Sequence, residues 1–443
     1  MRRVIILLLL LLGMRLILPL GSGGGAPQSL LTFGFLILGA YSVGELARDL
    51  RIPKIVGYLL AGLLFGPSVL GIVSETTIEA LSPVSDLAVA LIAFLAGAEL
   101  RWKEVRDNGT KILKILGSEM SVTFVGVVTL LLLLRQFVPF LENASWVQTL
   151  ALASLFGSVA ILHSPAVTLA LLTETGARGP VARTTLGVVL LADVVVILVF
   201  SATLAWANAI EPGAGGGTSV GLVAWEILGS ILVGAVLGGV IALYLRFVQR
   251  ELLMFAIVIA FFGAEIARLA HVETLLTLLT AGFVTENVSR GGEGEHLRHA
   301  MERSSAPVFV VFFALAGAEI AVEQLSQLWV IVLPIVIVRT AGIWFGSRLG
   351  ARWARASADE QRYVWLGLIS QVGVAIGLAT VIAQAYPARG EVIRDVLLAV
   401  IAINQTLGPV LFRQALARSG EIGPAPDAGE CQGEPTRPSA APA

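Results

Sequence analysis

Asp193 stands in the middle of an apolar run, Gly187-Val188-Val189-Leu190-Leu191-Ala192-Asp193-Val194-Val195-Val196-Ile197-Leu198. A charge at the centre of a membrane helix costs about 2.5–3.5 kcal/mol on insertion scales, so such a group normally faces an interior cavity and handles an ion or a proton. A second candidate is His163-Ser164-Pro165, which interrupts the apolar segment 148–173. Pro165 has no backbone donor, and its ring clashes with the carbonyl one turn back, so a helix is expected to break there. A break frees carbonyl oxygens that can hold ions. Asp193, the Ser164 hydroxyl and those carbonyls would make a hard-oxygen shell for a proton or a transiently held Na⁺ or K⁺. His163 adds a titratable ring, although a buried histidine more often packs than ligates. A plain proline kink, with Ser164 bonding back to its own helix, explains the same residues.

Arg339 is the cation among these groups, centred in the apolar segment 328–347. It does not lose its proton easily and needs a partner. Asp193 and Glu119 are the two candidates. A Glu119–Arg339 brace is favoured, which would leave Asp193 free to titrate; an Asp193–Arg339 pair would instead tune the site. Gln371-Val372-Gly373 and Asn404-Gln405 are neutral polar groups in late apolar segments. Asn404 stands roughly where Asp193 stands earlier in the chain. It would line the path or satisfy backbone ends, or serve as helix–helix glue.

These residues sit in a chain of 443 residues that is 56% hydrophobic and only 14% charged, with mean hydropathy +0.86. Soluble domains carry about 25% charged residues, so a water-soluble enzyme is excluded. The 30 Lys and Arg balance 31 Asp and Glu, which gives no basic footprint for nucleic acid. The single cysteine, Cys431, makes no internal disulfide. No phosphate-cradling loop, zinc-type spacing or nucleophile triad occurs, so neither an enzyme nor a cofactor is implied.

A spanning helix needs about 20 mostly apolar residues. Candidate spans run from 4–20 to 393–416, and their continuous Leu/Val/Ile character favours helices over a barrel. The expected fold is an all-α polytopic membrane protein with 13 transmembrane helices, or 14 if residues 4–20 are retained. Residues 1–28 read as a signal peptide or an extra N-terminal helix. Residues 29–416 form the transmembrane domain, and the Pro/Gly/Ala-rich residues 417–443 a disordered cytoplasmic tail. Lys and Arg mark cytoplasmic loops. Alternate gaps carry clusters such as Arg101, Lys103, Arg106, Lys111 and Lys114, whereas the intervening gaps hold only Arg135, Arg268, Arg389 and Arg394. That bias puts the C-terminus in the cytoplasm.

Leu95-Ala96-Gly97-Ala98-Glu99-Leu100 recurs as Leu315-Ala316-Gly317-Ala318-Glu319-Ile320, an offset of 220, and Ala61-Gly62 recurs at the same offset as Ala281-Gly282. Glu119 and Arg339 are also 220 apart. Seven helix steps separate the copies, so they would enter the membrane in opposite directions. Two inverted six-helix repeats are expected, 29–207 and 251–416, with interrupted helices crossing at the midplane, as in secondary transporters.

Ile52-Pro53-Lys54-Ile55-Val56-Gly57-Tyr58-Leu59-Leu60-Ala61-Gly62-Leu63-Leu64-Phe65-Gly66-Pro67, the Leu95–Leu100 string, Ser164-Pro165, the run around Asp193, and Arg339 together resemble the monovalent cation:proton antiporters of the Kef and Nap type. The resemblance covers about residues 29–416. It implies a core (about 111–207 and 328–416) and a panel (about 29–100 and 219–322). It implies a homodimer in the cytoplasmic membrane and an elevator-like exchange of one cation for protons, with Asp193 as the ion-binding aspartate. Two departures stand out. Ala192 replaces the family's usual Asp, Asn or Gln, which looks like electroneutral exchange, and Gln371-Val372-Gly373 replaces an Arg-Gly-Glu-like string. Two other readings fit the same scaffold: proton-coupled transport of a small organic solute, and a non-transporting membrane sensor or partner protein.

Overall fold

The computed structural model describes residues 26–210, 220–248, 252–289, 293–320, 322–386 and 389–423. Most of the segment read as a signal peptide or extra helix, and residues 424–443 of the expected tail, lie outside the described residues. The described residues are helical, with no strand among them. The early helices are α1 (Ala26–Asp49), α2 (Lys54–Phe65), α3 (Glu75–Ala80), α4 (Ser82–Ala98) and α5 (Trp102–Leu133). Then come α6 (Trp146–Ala160), α7 (Pro165–Thr175), α8 (Pro180–Ile210), α9 (Val220–Val248), α10 (Leu252–Leu269) and α11 (Thr274–Val288). The chain continues through α12 (Glu293–Ala318), α13 (Val322–Trp353), α14 (Ala358–Gly367), α15 (Val374–Ala385) and α16 (Gly390–Arg418). Six described helices are long and apolar enough to cross a bilayer, counting α6 and α7 as one, and five shorter apolar ones accompany them.

The apolar stretch that opens at Ile52-Pro53 holds a helix of only 12 residues. It stops at Gly66, which is extended (φ −67°, ψ 178°). Gly66 precedes Pro67, and a residue before proline is pushed out of the helical region. The boundary drawn at 417 falls inside α16, which runs to Arg418.

Close helix contacts run through glycine. An added Cβ at Gly62 of α2 would strike the carbonyl of Ala314 in α12, and one at Gly317 of α12 would strike that of Leu59 in α2. Gly282 of α11 meets the Phe94 carbonyl of α4 in the same way, and Gly97 of α4 meets that of Leu279 in α11. Adding 220 to 59, 62, 94 and 97 gives 279, 282, 314 and 317, so the α2–α12 contact and the α4–α11 contact are copies of one another. Small residues let backbones approach where no hydrophobic force drives helices together. Between α5 and α13, a Cβ at Gly346 would lie 2.7 Å from the Cα of Glu119.

Two polar joints tie these helix groups at one end. The Glu174 carboxylate, on α7, accepts the Lys54 main-chain N–H at 3.0 and 3.2 Å, at the N-terminus of α2. Arg413 of α16 donates to the Arg51 carbonyl at 2.9 Å. Beyond α16, the Glu421 carboxylate accepts the N–H groups of Val181 (2.7 Å) and Ala182 (2.8 Å) at the start of α8. A carboxylate suits the positive end of a helix.

Gly317→Val and Gly97→Val are expected to lower the melting temperature in detergent, because overpacking costs about 1–3 kcal/mol. Gly239→Ala, where a Cβ meets nothing within 4 Å, is expected to leave it unchanged. Equal melting temperatures for the three variants would contradict the close-approach account.

Candidate functional site

Two helices are broken in mid-course. The first is α6–α7, interrupted over residues 161–164. Pro165 occupies the first turn of α7, a position where its missing N–H is harmless. Ser164 is the N-cap: its backbone is extended (φ −106°, ψ 107°), and its hydroxyl accepts the Val167 N–H at 3.3 Å. The second is α14–α15, interrupted over residues 368–373. No proline is involved there; Gly373 turns with φ +70°, a region open to glycine.

Each break strands carbonyl oxygens at the negative end of the half-helix before it. Arg339, fully buried in the middle of α13, answers both breaks. Its Nε donates to Ala160 O (2.6 Å) and its Nη2 to Leu162 O (2.9 Å), both at the end of α6. Its Nη1 donates to Ile369 O (2.9 Å), just past α14. Gln371 Nε2 adds a bond to Val159 O (3.1 Å), and Asn404 Nδ2 of α16 donates to Gln371 Oε1 (2.9 Å). The favoured Glu119–Arg339 brace is therefore not a direct ion pair. Glu119 instead meets the His163 ring, Oε2 to Nε2 at 3.0 Å, and its other oxygen accepts the Thr123 hydroxyl at 2.9 Å. His163 Nδ1 lies 2.6 Å from Leu368 O in the second break.

Glu119, His163, Arg339, Gln371 and Asn404 thus gather around the two breaks. Asp193 does not join their bonds. It is buried in α8, and neither carboxylate oxygen has a hydrogen-bond partner among the described residues. The Asn404 Oδ1 and Gln405 Oε1 atoms are also buried without a partner there. Ser164 keeps to its own helix as a cap.

Two cavities approach α8 from its opposite ends. One, of about 600 Å³, is lined by Ile197, Phe200, Ser201 and Leu204 of α8 and by the acidic groups Asp86, Glu226, Glu273 and Glu319. Asp193 lies one turn before Ile197, on the same helix face and about 6 Å further along the axis. It therefore stands beneath the floor of this cavity. The charge of Glu273 is close enough to act on it. The other cavity, of about 400 Å³, is basic: Lys111, Arg178 and Arg183 line it with Thr184, Gly187 and Glu360. Burial alone pushes the Glu360 carboxyl up. Bonds from Lys111 Nζ (2.6 Å), Thr184 Oγ1 (2.5 Å) and the Ser357 N–H (2.8 Å) outweigh that and hold it below the usual carboxylate range.

The acidic lining was not singled out from the sequence. Asp86 and Glu273 sit near the ends of apolar segments, where an acid is ordinary. The one available signal was Glu319, which repeats Glu99 at the 220 offset. Glu99 is paired with Arg298 at 2.8 Å, whereas Glu319 looks into the acidic cavity.

An integral membrane protein with two broken helices, their freed ends held by one arginine, and an unpartnered acid under a cavity has the architecture of a secondary transporter. The chain belongs to the family described as sodium/hydrogen exchanger, transmembrane, whose profile matches residues 34–416. The family consists of antiporters, not enzymes. Among similar proteins are two from Bacillus cereus. The probable Na⁺/H⁺ antiporter GerT is 24% identical over 76% of this chain and 86% of its own length. The Na⁺/H⁺-K⁺ antiporter GerN is 24% identical over 78% and 85%. The structure of the sodium proton antiporter MjNhaP1 from Methanocaldococcus jannaschii at pH 8 aligns over 89% of this chain and 97% of that one. The TM-score is 0.65 at 16% identity, a likeness of fold.

Arg339→Met leaves three main-chain oxygens without their charged donor, each such bond being worth about 1.5–3 kcal/mol. A loss of at least about 3 kcal/mol is expected in denaturant unfolding in detergent, and Arg339→Lys should recover part of it. Asp193→Asn removes an unpartnered buried acid and should cost no stability in the same assay. Because Glu360 is held low, its contribution is present at neutral pH and is lost as pH falls into the acid range. Wild-type stability is therefore expected to drop more between pH 7 and pH 4 than that of Lys111→Met; parallel curves would refute it.

Proposed function

We propose that this protein exchanges Na⁺ or K⁺ for protons across the cytoplasmic membrane, electroneutrally, through Asp193 as the single titrating ion-binding group. One observation carries the reading: a buried carboxylate whose two oxygens bond to nothing else among the described residues, set beneath a cavity lined with acids. A carboxylate in that setting needs a counter-charge. A proton or a monovalent cation can supply it, and each excludes the other. Alternate opening to the two sides then couples two gradients through one occupant. The names of the Bacillus relatives, Na⁺/H⁺ and Na⁺/H⁺-K⁺ antiporters, favour this cargo over an organic solute. The acidic cavity concentrates cations at one mouth. Ser164 contributes as a cap that keeps the α7 N-terminus in place, with its hydroxyl available to the ion.

The scaffold we infer has thirteen spans in two inverted repeats, 29–207 and 251–416. The copied α2–α12 and α4–α11 contacts support that symmetry. Panel (29–100 and 219–322) and core (111–207 and 328–416) would slide against each other. The Glu174–Lys54 and Arg413–Arg51 joints would part as they do so. A homodimer and a cytoplasmic C-terminus complete the proposal, the latter supported by the positive-charge bias.

The test is flux in proteoliposomes carrying a trapped pH dye. Addition of Na⁺ or K⁺ should drive proton movement in the wild type, with no dependence on membrane potential, and Asp193→Asn should abolish it. Undiminished flux in Asp193→Asn would defeat the proposal.

A further inference from the structure

The pairing of Glu119 with His163 contains a constraint on protons. His163 Nδ1 lies 2.6 Å from the Leu368 carbonyl oxygen, which can only accept, so Nδ1 carries a hydrogen. The other ring nitrogen, Nε2, lies 3.0 Å from Glu119 Oε2. A neutral ring with its hydrogen on Nδ1 presents a lone pair at Nε2, and an ionised carboxylate presents only lone pairs. Both side chains are fully buried, at 0% exposure, so water does not come between them. Two facing lone pairs in a dry interior repel, and one proton between them turns the contact into a hydrogen bond. That proton makes either an imidazolium–carboxylate pair or a carboxylic acid donating to a neutral ring; the inventory is the same.

We propose that Glu119 and His163 hold one shared proton, forming a second protonatable unit besides Asp193, and that its loss and gain set the pH response of exchange. The pair ligates no cation; it is a positioning pair. The transport part of this rests on the exchange reading above, whereas the shared proton does not.

The surroundings fix the sign. From α13, Arg339 is the charged group near the pair, close enough for its charge to act on Glu119. From α5, Thr123 donates a neutral hydroxyl. The α14–α15 break and α16 contribute the Leu368 carbonyl and the amides of Gln371 and Asn404, none of which titrates. With its proton the pair is neutral, and the crossing of the two broken helices carries the single positive charge of Arg339. Without it the pair is negative, and the crossing is neutral. Loading the pair at low pH therefore disfavours a cation nearby, and unloading it at high pH favours one. The pair is bonded into both breaks, His163 standing in the first and Leu368 in the second, so the change is delivered where the half-helices meet.

Glu119→Gln tests this without emptying the site. The amide can donate to a neutral His163 ring and accept from Thr123, while the crossing keeps the positive charge of Arg339 and loses the negative charge that an ionised Glu119 would bring. One competing proton changes an apparent cation affinity by at most about tenfold per pH unit, and two coupled protons by more. In proteoliposomes, the half-saturating Na⁺ or K⁺ concentration of the wild type is expected to fall more than tenfold per unit over part of the range as pH rises. That of Glu119→Gln should never exceed tenfold. Side-chain ¹⁵N spectra of the four histidines, with His163→Gln to assign the resonance, provide a second reading. They should show a proton bridging His163 Nε2 in the wild type at neutral pH, and an Nε2 without its own proton in Glu119→Gln. Identical pH profiles would overturn the role in transport. A neutral wild-type ring whose bare Nε2 shows no hydrogen bond would overturn the shared proton. Absence of cation-driven flux in the wild type would strike the exchange reading alone, because the spectra need no transport.

Discussion

Breaking a helix inside a membrane leaves carbonyl oxygens with no water to satisfy them. This fold does so twice, and both sets of oxygens converge on the guanidinium of Arg339. A planar fork with five donors suits that task in a way an ammonium does not. Its positive charge also meets the negative ends of two half-helices, α6 and α14, so the burial of an arginine and the breaking of two helices offset one another. Take the arginine away and each interruption loses its charged donor, with only the neutral Gln371 amide at the first and the His163 ring at the second. Take one interruption away and the buried cation keeps only the oxygens of the other.

That settlement separates two kinds of buried polar group. Arg339, Glu119, His163, Gln371 and Asn404 make bonds within the protein and hold the crossing together. Asp193 makes none among the described residues. The two cavities differ in a similar way. Asp86, Glu226, Glu273 and Glu319 surround one cavity, while Lys111 and Glu360 neutralise each other in the other.

Much of this could be read from the sequence because it is written locally. Apolar runs mark the helices, Pro165 marks one interruption, and Asp193 is conspicuous in a run of valine and leucine. The 220 offset pointed to helices that turn out to touch in matching ways through Gly62, Gly97, Gly282 and Gly317. The second interruption was harder, because it relies on the backbone of Gly373 and no proline announces it. The partners of Arg339 could not be read at all: they are main-chain oxygens, and which ones become free depends on where two distant helices stop. Two acids were available to pair with it, and the fold uses neither as a direct partner. Glu119 goes to His163, which is 44 positions away on another element. The acidic cavity was missed because its members come singly from separate helix ends and meet only in space.

Arg339 reads only peptide oxygens, so the identities of residues 160, 162 and 369 are invisible to it. Ala160, Leu162 and Ile369 are packing residues whose side chains can be exchanged for others of like volume without altering the charge balance at the crossing. The anchorage is a lock cut to the shape of the chain's trace, so chemical variety can accumulate at those three positions while the geometry of the crossing stays fixed.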